Sequence, residues 1–223
     1  MQSHSRRLVQ AALRFGFRQL YTRFAWTYDV VAAAVSLGEW QAWGRAVIGF
    51  IDSAGEHRPS MLLEIGHGPG HLQLALRQAG YHVAGVDLSP QMGAIASRRL
   101  RQAGWSSSLA RADVYHLPFP SATFFALVST FPAEFIFTPE VLAEARRVLA
   151  AGGQMVVVPT TIPRPTHPLA RAVTAWQSLT RLSEQELQAI RQRFEQAGFT
   201  FEQHLTPARQ FEVVVWVMTR REG

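Results

Sequence analysis

Glu64, Gly66, His67, Gly68, Gly70 and Asp87 have the types and spacing that bear most directly on chemistry. Glu64 lies near the end of a short apolar run, Met61 to Ile65, and a loop with glycine at every second position follows. Glycine lets a backbone turn sharply and lets a ligand approach the main chain. The helical pattern from His71 to Gln78 would present free N–H groups and a positive dipole end to that ligand. About 20 residues beyond the loop a second run, His82 to Val86, ends in Asp87, the spacing of a carboxylate that accepts from ribose hydroxyls. A glycine loop with an acid at this distance points to an adenosine-type cofactor.

Other residues narrow the choice. A dinucleotide fingerprint needs Gly or Ala where this chain has His71. A phosphate-binding P-loop needs a Lys, and the chain has none, which also removes a lysine Schiff base and pyridoxal phosphate chemistry. What remains is Glu-x-Gly-x-Gly-x-Gly. It resembles motif I of the class I S-adenosylmethionine-dependent methyltransferases. Further blocks follow in the order of that family. Val83-Ala84-Gly85-Val86-Asp87-Leu88-Ser89-Pro90-Gln91-Met92 resembles its second strand, ribose acid and helix start. Arg111-Ala112-Asp113-Val114 with Leu117-Pro118-Phe119-Pro120 resembles its adenine-binding turn. Glu144 to Leu149, then Gly152-Gly153 and Gln154 to Val158, resembles its later helix, Gly-Gly turn and fifth strand. The resemblance runs from about Ser60 to Val158 and is nearest to the branch of ubiquinone and menaquinone C-methyltransferases and other small-molecule methyltransferases.

The resemblance implies S-adenosyl-L-methionine as cofactor and a set of residues to hold it. Glu64 would face the cationic methionine end, with Gly66, His67, Gly68 and Gly70 against the backbone side. Asp87 would hold the ribose, and its two oxygens suit a pair of hydroxyls. Leu88 and Met92 would flank the adenosine, or serve as core. Asp113 would accept from the adenine amino group and Val114 donate from its N–H, although Asp113 is also a common turn residue. Thr130 completes the set at the end of the fourth strand. Tyr21 and Tyr28, in a Tyr-Asp element like the family's N-terminal one, would close over the cofactor or pack as core.

No catalytic base stands out; Glu134 and His116 are the candidates. The stretch Ser129 to Phe135 lacks the Asn/Asp-Pro-Pro-aromatic motif of methyltransferases acting on amino groups of bases and Gln. The family's common Asp before the fourth strand is Phe125, and its Pro before the Gly-Gly turn is Ala151. His67 and His71 lie across a Gly-Pro-Gly loop with no third ligand in view, so no metal is expected.

The elements that must position these residues alternate from Ser60 onward. Strand patterns fall at Met61–Ile65, His82–Val86, Ser108–Ala112, Ala126–Ser129, Gln154–Val158, Thr200–Leu205 and Glu212–Met218. Helical stretches between them end at Gly80, Gly104 and Gly198, and start at Thr138-Pro139 and at Ser183 with Glu186. This pattern predicts a doubly wound, mostly parallel seven-stranded sheet, a Rossmann-like methyltransferase fold with an antiparallel edge. Residues 1–58 read as an N-terminal helical cap. Residues 59–223 read as the catalytic domain, with a proline-bearing lid insertion at about 160–181.

At 223 residues, 48% hydrophobic and 17% charged, the chain suits one folded domain with an appendage. It has no Cys, so disulfides and thiolate metal sites are excluded. No apolar run approaches the roughly 20 residues of a membrane span, and no signal-peptide pattern is seen, so a cytoplasmic location is expected. The net charge of +6 comes entirely from Arg. Five of these lie in residues 1–28, which contain no acid and set Leu13, Phe17, Leu20 and Phe24 at helical spacing. Such a helix suits an anionic membrane surface, an RNA groove or docking on the domain. The other Arg occur in scattered pairs, Arg98-Arg99 and Arg146-Arg147, which disfavours a nucleic-acid track. Trp26, Trp40, Trp43, Phe131, Phe135 and Phe137 favour an apolar acceptor. The expected activity is methyl transfer to a small, hydrophobic or lipid-like molecule. An RNA methyltransferase and a non-catalytic S-adenosylmethionine-binding protein are the rivals. Nothing in the sequence sets an oligomeric state.

Overall fold

All seven apolar runs form strands of one sheet in the computed structural model, which describes residues 36, 38–52, 61–164 and 183–222. The strands are β1 (Met61–Ile65), β2 (His82–Asp87), β3 (Leu109–Arg111), β4 (Phe124–Thr130), β5 (Leu149–Pro163), β6 (Glu202–Pro207) and β7 (Phe211–Thr219). Their order is β3-β2-β1-β4-β5-β7-β6. The first five run parallel, and β7 runs antiparallel to both β5 and β6. The antiparallel edge is thus a hairpin, with β7 one place in and β6 at the margin.

The helices are α1 (Trp40–Arg45), α2 (His71–Gln78), α3 (Pro90–Gln102), α4 (Pro139–Val148) and α5 (Glu184–Gln196). Successive side chains of a strand point to opposite faces, so Leu62 and Leu63 enter two different cores. One core packs Leu63, Ile65 and Leu127 against Val141 and Leu142 of α4 and Phe194 of α5. The other packs Leu62, Val128 and Val156 against Trp43 of α1 and Leu72 and Leu76 of α2. Leu62, Leu63 and Leu127 have no exposed surface, and each such burial contributes roughly 1.5–3 kcal/mol.

The helix ends follow the residue signals. Gly80, Gly104 and Gly198 take left-handed backbone at φ 91°, 80° and 83°. Ser183 and Glu186 form a reciprocal capping box. Ser89 caps α3 by accepting from the Met92 N–H at 3.3 Å, with Pro90 in the first turn. Thr138 does begin α4, but its hydroxyl makes no cap bond.

Two boundaries differ from expectation. Strand β5 starts at Leu149, directly after α4, so Gly152-Gly153 lies inside the strand rather than in a turn before it. Beside it the β4–β5 register shifts between Phe124 and Ala126. A Cβ on Gly153 would stand 3.0 Å from the Phe125 carbonyl oxygen, so glycine allows this close approach. At its other end β5 continues to Pro163, paired with Phe211. The first residues of the expected lid are therefore strand, and residues 165–181 lie outside the described ones. So do residues 1–35, with Tyr21, Tyr28 and the basic segment, and residues 53–60 at the expected domain boundary.

Candidate functional site

Strand order reverses between β1 and β4, since β2 and β3 lie to one side of β1 and β4 and β5 to the other. Ligands of open α/β sheets bind at such a reversal, beyond the carboxyl ends of the strands. The residues there are Glu64 of β1 with Gly66 just beyond it, Asp87 of β2, and Thr130 of β4 with Phe131 just beyond it. The β1 and β4 ends are tied by the Ser129 hydroxyl, which donates to the Ile65 carbonyl at 2.8 Å.

The glycine loop is shaped by left-handed backbone and pinned by Asp87. Gly66, Gly68 and Gly70 have φ of 72°, 50° and 82°. Gly66 N–H donates to the Val86 carbonyl at 2.8 Å. A Cβ on Gly66 would meet nothing within 4 Å, whereas one on Gly70 would stand 2.8 Å from Ala96 Cβ of α3. Gly66 therefore borders open space, and Gly70 allows α3 to pack close to the start of α2. Asp87 is buried and accepts from the Gly68 N–H (Oδ2, 2.9 Å) and the Ser89 N–H (Oδ1, 2.8 Å). An ionised carboxylate offers about four acceptor positions, so Asp87 can latch the loop and still accept from a ligand. His67 is buried in the loop, where its Nδ1–H donates to the Gly68 carbonyl at 2.7 Å. Burial lowers its pKa, so the ring is neutral near pH 7.

Glu64 is the electrostatic centre of the site. It is 2% exposed, and its Oε2 has no hydrogen-bond partner. Burial pushes its pKa up to about 8, a hydrogen bond from Gln73 opposes the shift, and the Asp87 charge adds to it. Gln73 also donates to the Ala84 carbonyl at 3.2 Å. A Cβ on Gly85 would stand 2.7 Å from the Gln73 Nε2, so Gly85 makes room for this amide. The sequence reading missed Gln73, because an amide on a helix face carries no signal until the strand beside it is known.

The remaining candidates separate. Leu88 is 61% exposed, an apolar side chain offered to solvent directly after Asp87. Met92 has no exposed surface. Asp113 is exposed and accepts from the Tyr115 N–H at 3.1 Å, the turn role, while Val114 is buried. His116, the other candidate base, is exposed on the turn before β4. Its ring lies near the Glu144 carboxylate of α4 and helps to hold it below the usual carboxylate range, after the larger effect of Arg147. Glu144 and Arg147 clasp the turn before β4, with Glu144 accepting from the Leu117 N–H at 2.7 Å and Arg147 donating to the Phe119 carbonyl at 2.8 Å. Glu134 begins a short 3-10 turn, Glu134–Phe137, after β4.

An aromatic wall stands at the end of β4. Phe131 takes φ of 50°, a conformation costing a non-glycine residue about 1–3 kcal/mol. Its N–H donates to the Val158 carbonyl at 2.7 Å. Its ring stacks on Trp40 at 4.3 Å between centroids, and Trp43 packs edge-on to Phe211 at 4.6 Å. Helix α1, from the expected cap, is thereby seated against the strand end where a reversal-point ligand would lie. Among the described residues, no group of three or more His, Cys, Asp or Glu is arranged to hold a metal.

Residues 62–153 match the family described as methyltransferase domain. Demethylmenaquinone methyltransferase of Thermus thermophilus is 34% identical over 142 residues, covering 62% of this chain and 63% of that protein. Its counterpart in Deinococcus radiodurans is 29% identical over 159 residues, covering 70% of this chain and 64% of that protein. The chain thus spans less than two thirds of the length of either relative. A solved geranyl diphosphate methyltransferase in complex with S-adenosylmethionine superposes with a TM-score of 0.61 at 18% identity, covering 87% of this chain and 90% of that one. At that identity the likeness speaks for the fold.

Proposed function

The chain is built on a class I, S-adenosylmethionine-dependent methyltransferase domain, and on that premise we propose that it transfers a methyl group to a small, lipid-like acceptor of the quinone kind. The observation that carries the reading is the pairing of Glu64 and Asp87 across the glycine loop at the strand reversal. The residues fit the cofactor on structural grounds. The buried Oε2 of Glu64 lacks a partner, and a cationic methionine end would supply one. Asp87 retains acceptor capacity for ribose hydroxyls while latching Gly68 and Ser89. Gly66 leaves open space beside the main chain. In this reading Leu88 covers the adenosine, the turn at Asp113 and Val114 holds the adenine, and Thr130 serves the reacting end.

Bound S-adenosylmethionine supplies an electrophilic methyl on a sulfonium centre. The protein's own part is to orient the acceptor, exclude water and anchor both partners. Trp40 and Phe131 support an apolar acceptor at the β4 end, as do the names of the Thermus and Deinococcus relatives. In this reading Tyr21 and Tyr28 belong to the cap over the site, residues 1–58 form that cap, and the part of 160–181 beyond Pro163 forms a lid. Glu134 and His116 are the candidate bases. The protein would work in the cytoplasm, with residues 1–28 touching the membrane surface where a lipid-like acceptor resides. Among the described residues, no helix is long and apolar enough to cross a membrane.

The test is methyl transfer from labelled S-adenosylmethionine to demethylmenaquinone in mixed micelles. Label in the extracted quinone supports the proposal. Cofactor binding without transfer to demethylmenaquinone or to a lipid extract would overturn it. Absence of co-sedimentation with anionic vesicles would remove the membrane contact alone.

A further inference from the structure

Arg146 and Arg147, a pair left without a role by the cofactor site, converge with Arg193 and Arg220 on one groove of about 500 Å3. The groove runs between α4 and α5, and its charged end lies where both helices finish. Arg146 and Arg147 sit in the last turn of α4 and Arg193 in the last turn of α5. Arg220 follows the end of β7, which runs antiparallel to its neighbours. The charged end therefore lies at the amino ends of the parallel strands, across the sheet from the glycine loop.

Arginines in last turns have an ordinary use, because a helix C-terminus carries about half a negative charge. That use does not account for the number present. No carboxylate is among the described residues lining the groove, and Glu144 nearby is engaged with Arg147 at 2.7 Å. Arg146, Arg193 and Arg220 thus face the groove with no carboxylate among its described lining residues. Moreover, the Nε atoms of Arg146 and Arg220 are buried without a hydrogen-bond partner, and a buried unmet donor is costly. Arg220 places one terminal nitrogen on the Leu149 carbonyl. Arg146 lies across Gly198, where a Cβ would come 2.8 Å from its Nε. The missing side chain at Gly198 is thus what admits this guanidinium. Gln196 adds an amide to the same wall.

We infer that this groove is a binding site for a phosphoryl dianion, either a soluble phosphate ester or a phosphate-bearing lipid headgroup. Guanidinium forks match phosphate oxygens two at a time, which suits a phosphoryl dianion to a groove lined by several of them. The site is separate from the cofactor crevice and independent of the proposed methyl transfer.

The test uses the full chain and inorganic pyrophosphate as probe, followed by calorimetry at low ionic strength. Saturable binding that weakens with added salt is expected. The double variant Arg146→Gln/Arg193→Gln should weaken it at least tenfold, by about 1.4 kcal/mol or more, and leave S-adenosylmethionine affinity unchanged. Arg193→Gln alone, on an exposed side chain, should give a smaller loss and serves if the double variant does not fold. Vesicles of phosphatidic acid, compared with phosphatidylcholine, separate the sources. Retention that pyrophosphate displaces marks a headgroup, and pyrophosphate binding without vesicle retention marks a soluble ester. Absence of saturable pyrophosphate binding, or binding that the variants leave intact, would overturn the inference.

Discussion

Protonation of Glu64 should control cofactor affinity around neutral pH. Its carboxyl is buried, one oxygen lacks a partner, and its pKa is pushed up to about 8. Near pH 7, one unit below that value, roughly nine tenths of the free protein would hold the proton. A cationic methionine end needs the ionised form, so binding must expel that proton. Each pH unit below about 8 then costs about 1.4 kcal/mol, a tenfold rise in Kd. Affinity should stop improving from this cause above about pH 8. Calorimetry with S-adenosylmethionine from about pH 6 to about pH 9 reads this slope. Repeating it in buffers of different ionisation enthalpy reads the released proton directly. Glu64→Gln removes the slope while leaving the cofactor's own titration in place, so the difference between the two proteins isolates Glu64. The same shift sets a stability trend in the free protein. The native state keeps a proton that the unfolded chain loses above its ordinary pKa, so stability falls as pH rises from about 4.5 towards about 8. Thermal melts of Glu64→Gln should be flatter over that window. A wild-type Kd that is independent of pH, with no proton released on binding, would refute the reasoning.

Other residues give sharper, smaller tests. Asp87→Ala should abolish measurable cofactor binding and loosen the loop, since it removes acceptors for the Gly68 and Ser89 N–H groups; unchanged affinity in calorimetry would sink the anchoring role. Gly70→Ala should destabilise the fold by about 1–3 kcal/mol in urea titration, because its Cβ would crowd Ala96 and its backbone is left-handed. Trp40→Ala removes a ring stacked at 4.3 Å on Phe131, an interaction of roughly 0.5–1.5 kcal/mol. It should raise the KM for an apolar acceptor severalfold with cofactor affinity unchanged, as steady-state kinetics would show. Glu144 is held below the usual carboxylate range chiefly by Arg147; its contribution to stability should be present above the ordinary Glu pKa and lost as pH falls through the lowered one, a loss that acid titration of Glu144→Gln would lack.

Much of the parallel sheet was legible because strands buried on both faces read as continuous apolar runs, and Gly80, Gly104 and Gly198 mark helix ends by backbone conformation alone. Glu64, the loop glycines and Asp87 were legible for a related reason. Each sits at a fixed distance from a strand end, and local sequence records that distance. Long-range contacts were less visible. The start of β5 at Leu149 depends on Gly153 passing close to the Phe125 carbonyl, which no local pattern reports. Met92 turned inward because α3 buries that face together with Ala96 and Leu100. His116 lies near Glu144, 28 positions away in the chain. Phe131 adopts left-handed backbone with no glycine or asparagine to announce it.

The central claim is that Glu64, the glycine loop and Asp87 hold S-adenosylmethionine. Calorimetry of the purified full chain with S-adenosylmethionine, and separately with NAD, tests it most directly. Saturable binding of S-adenosylmethionine in the micromolar range, lost in Asp87→Ala, and no binding of NAD is the predicted result. Failure to bind S-adenosylmethionine, or equal binding of NAD, would contradict it.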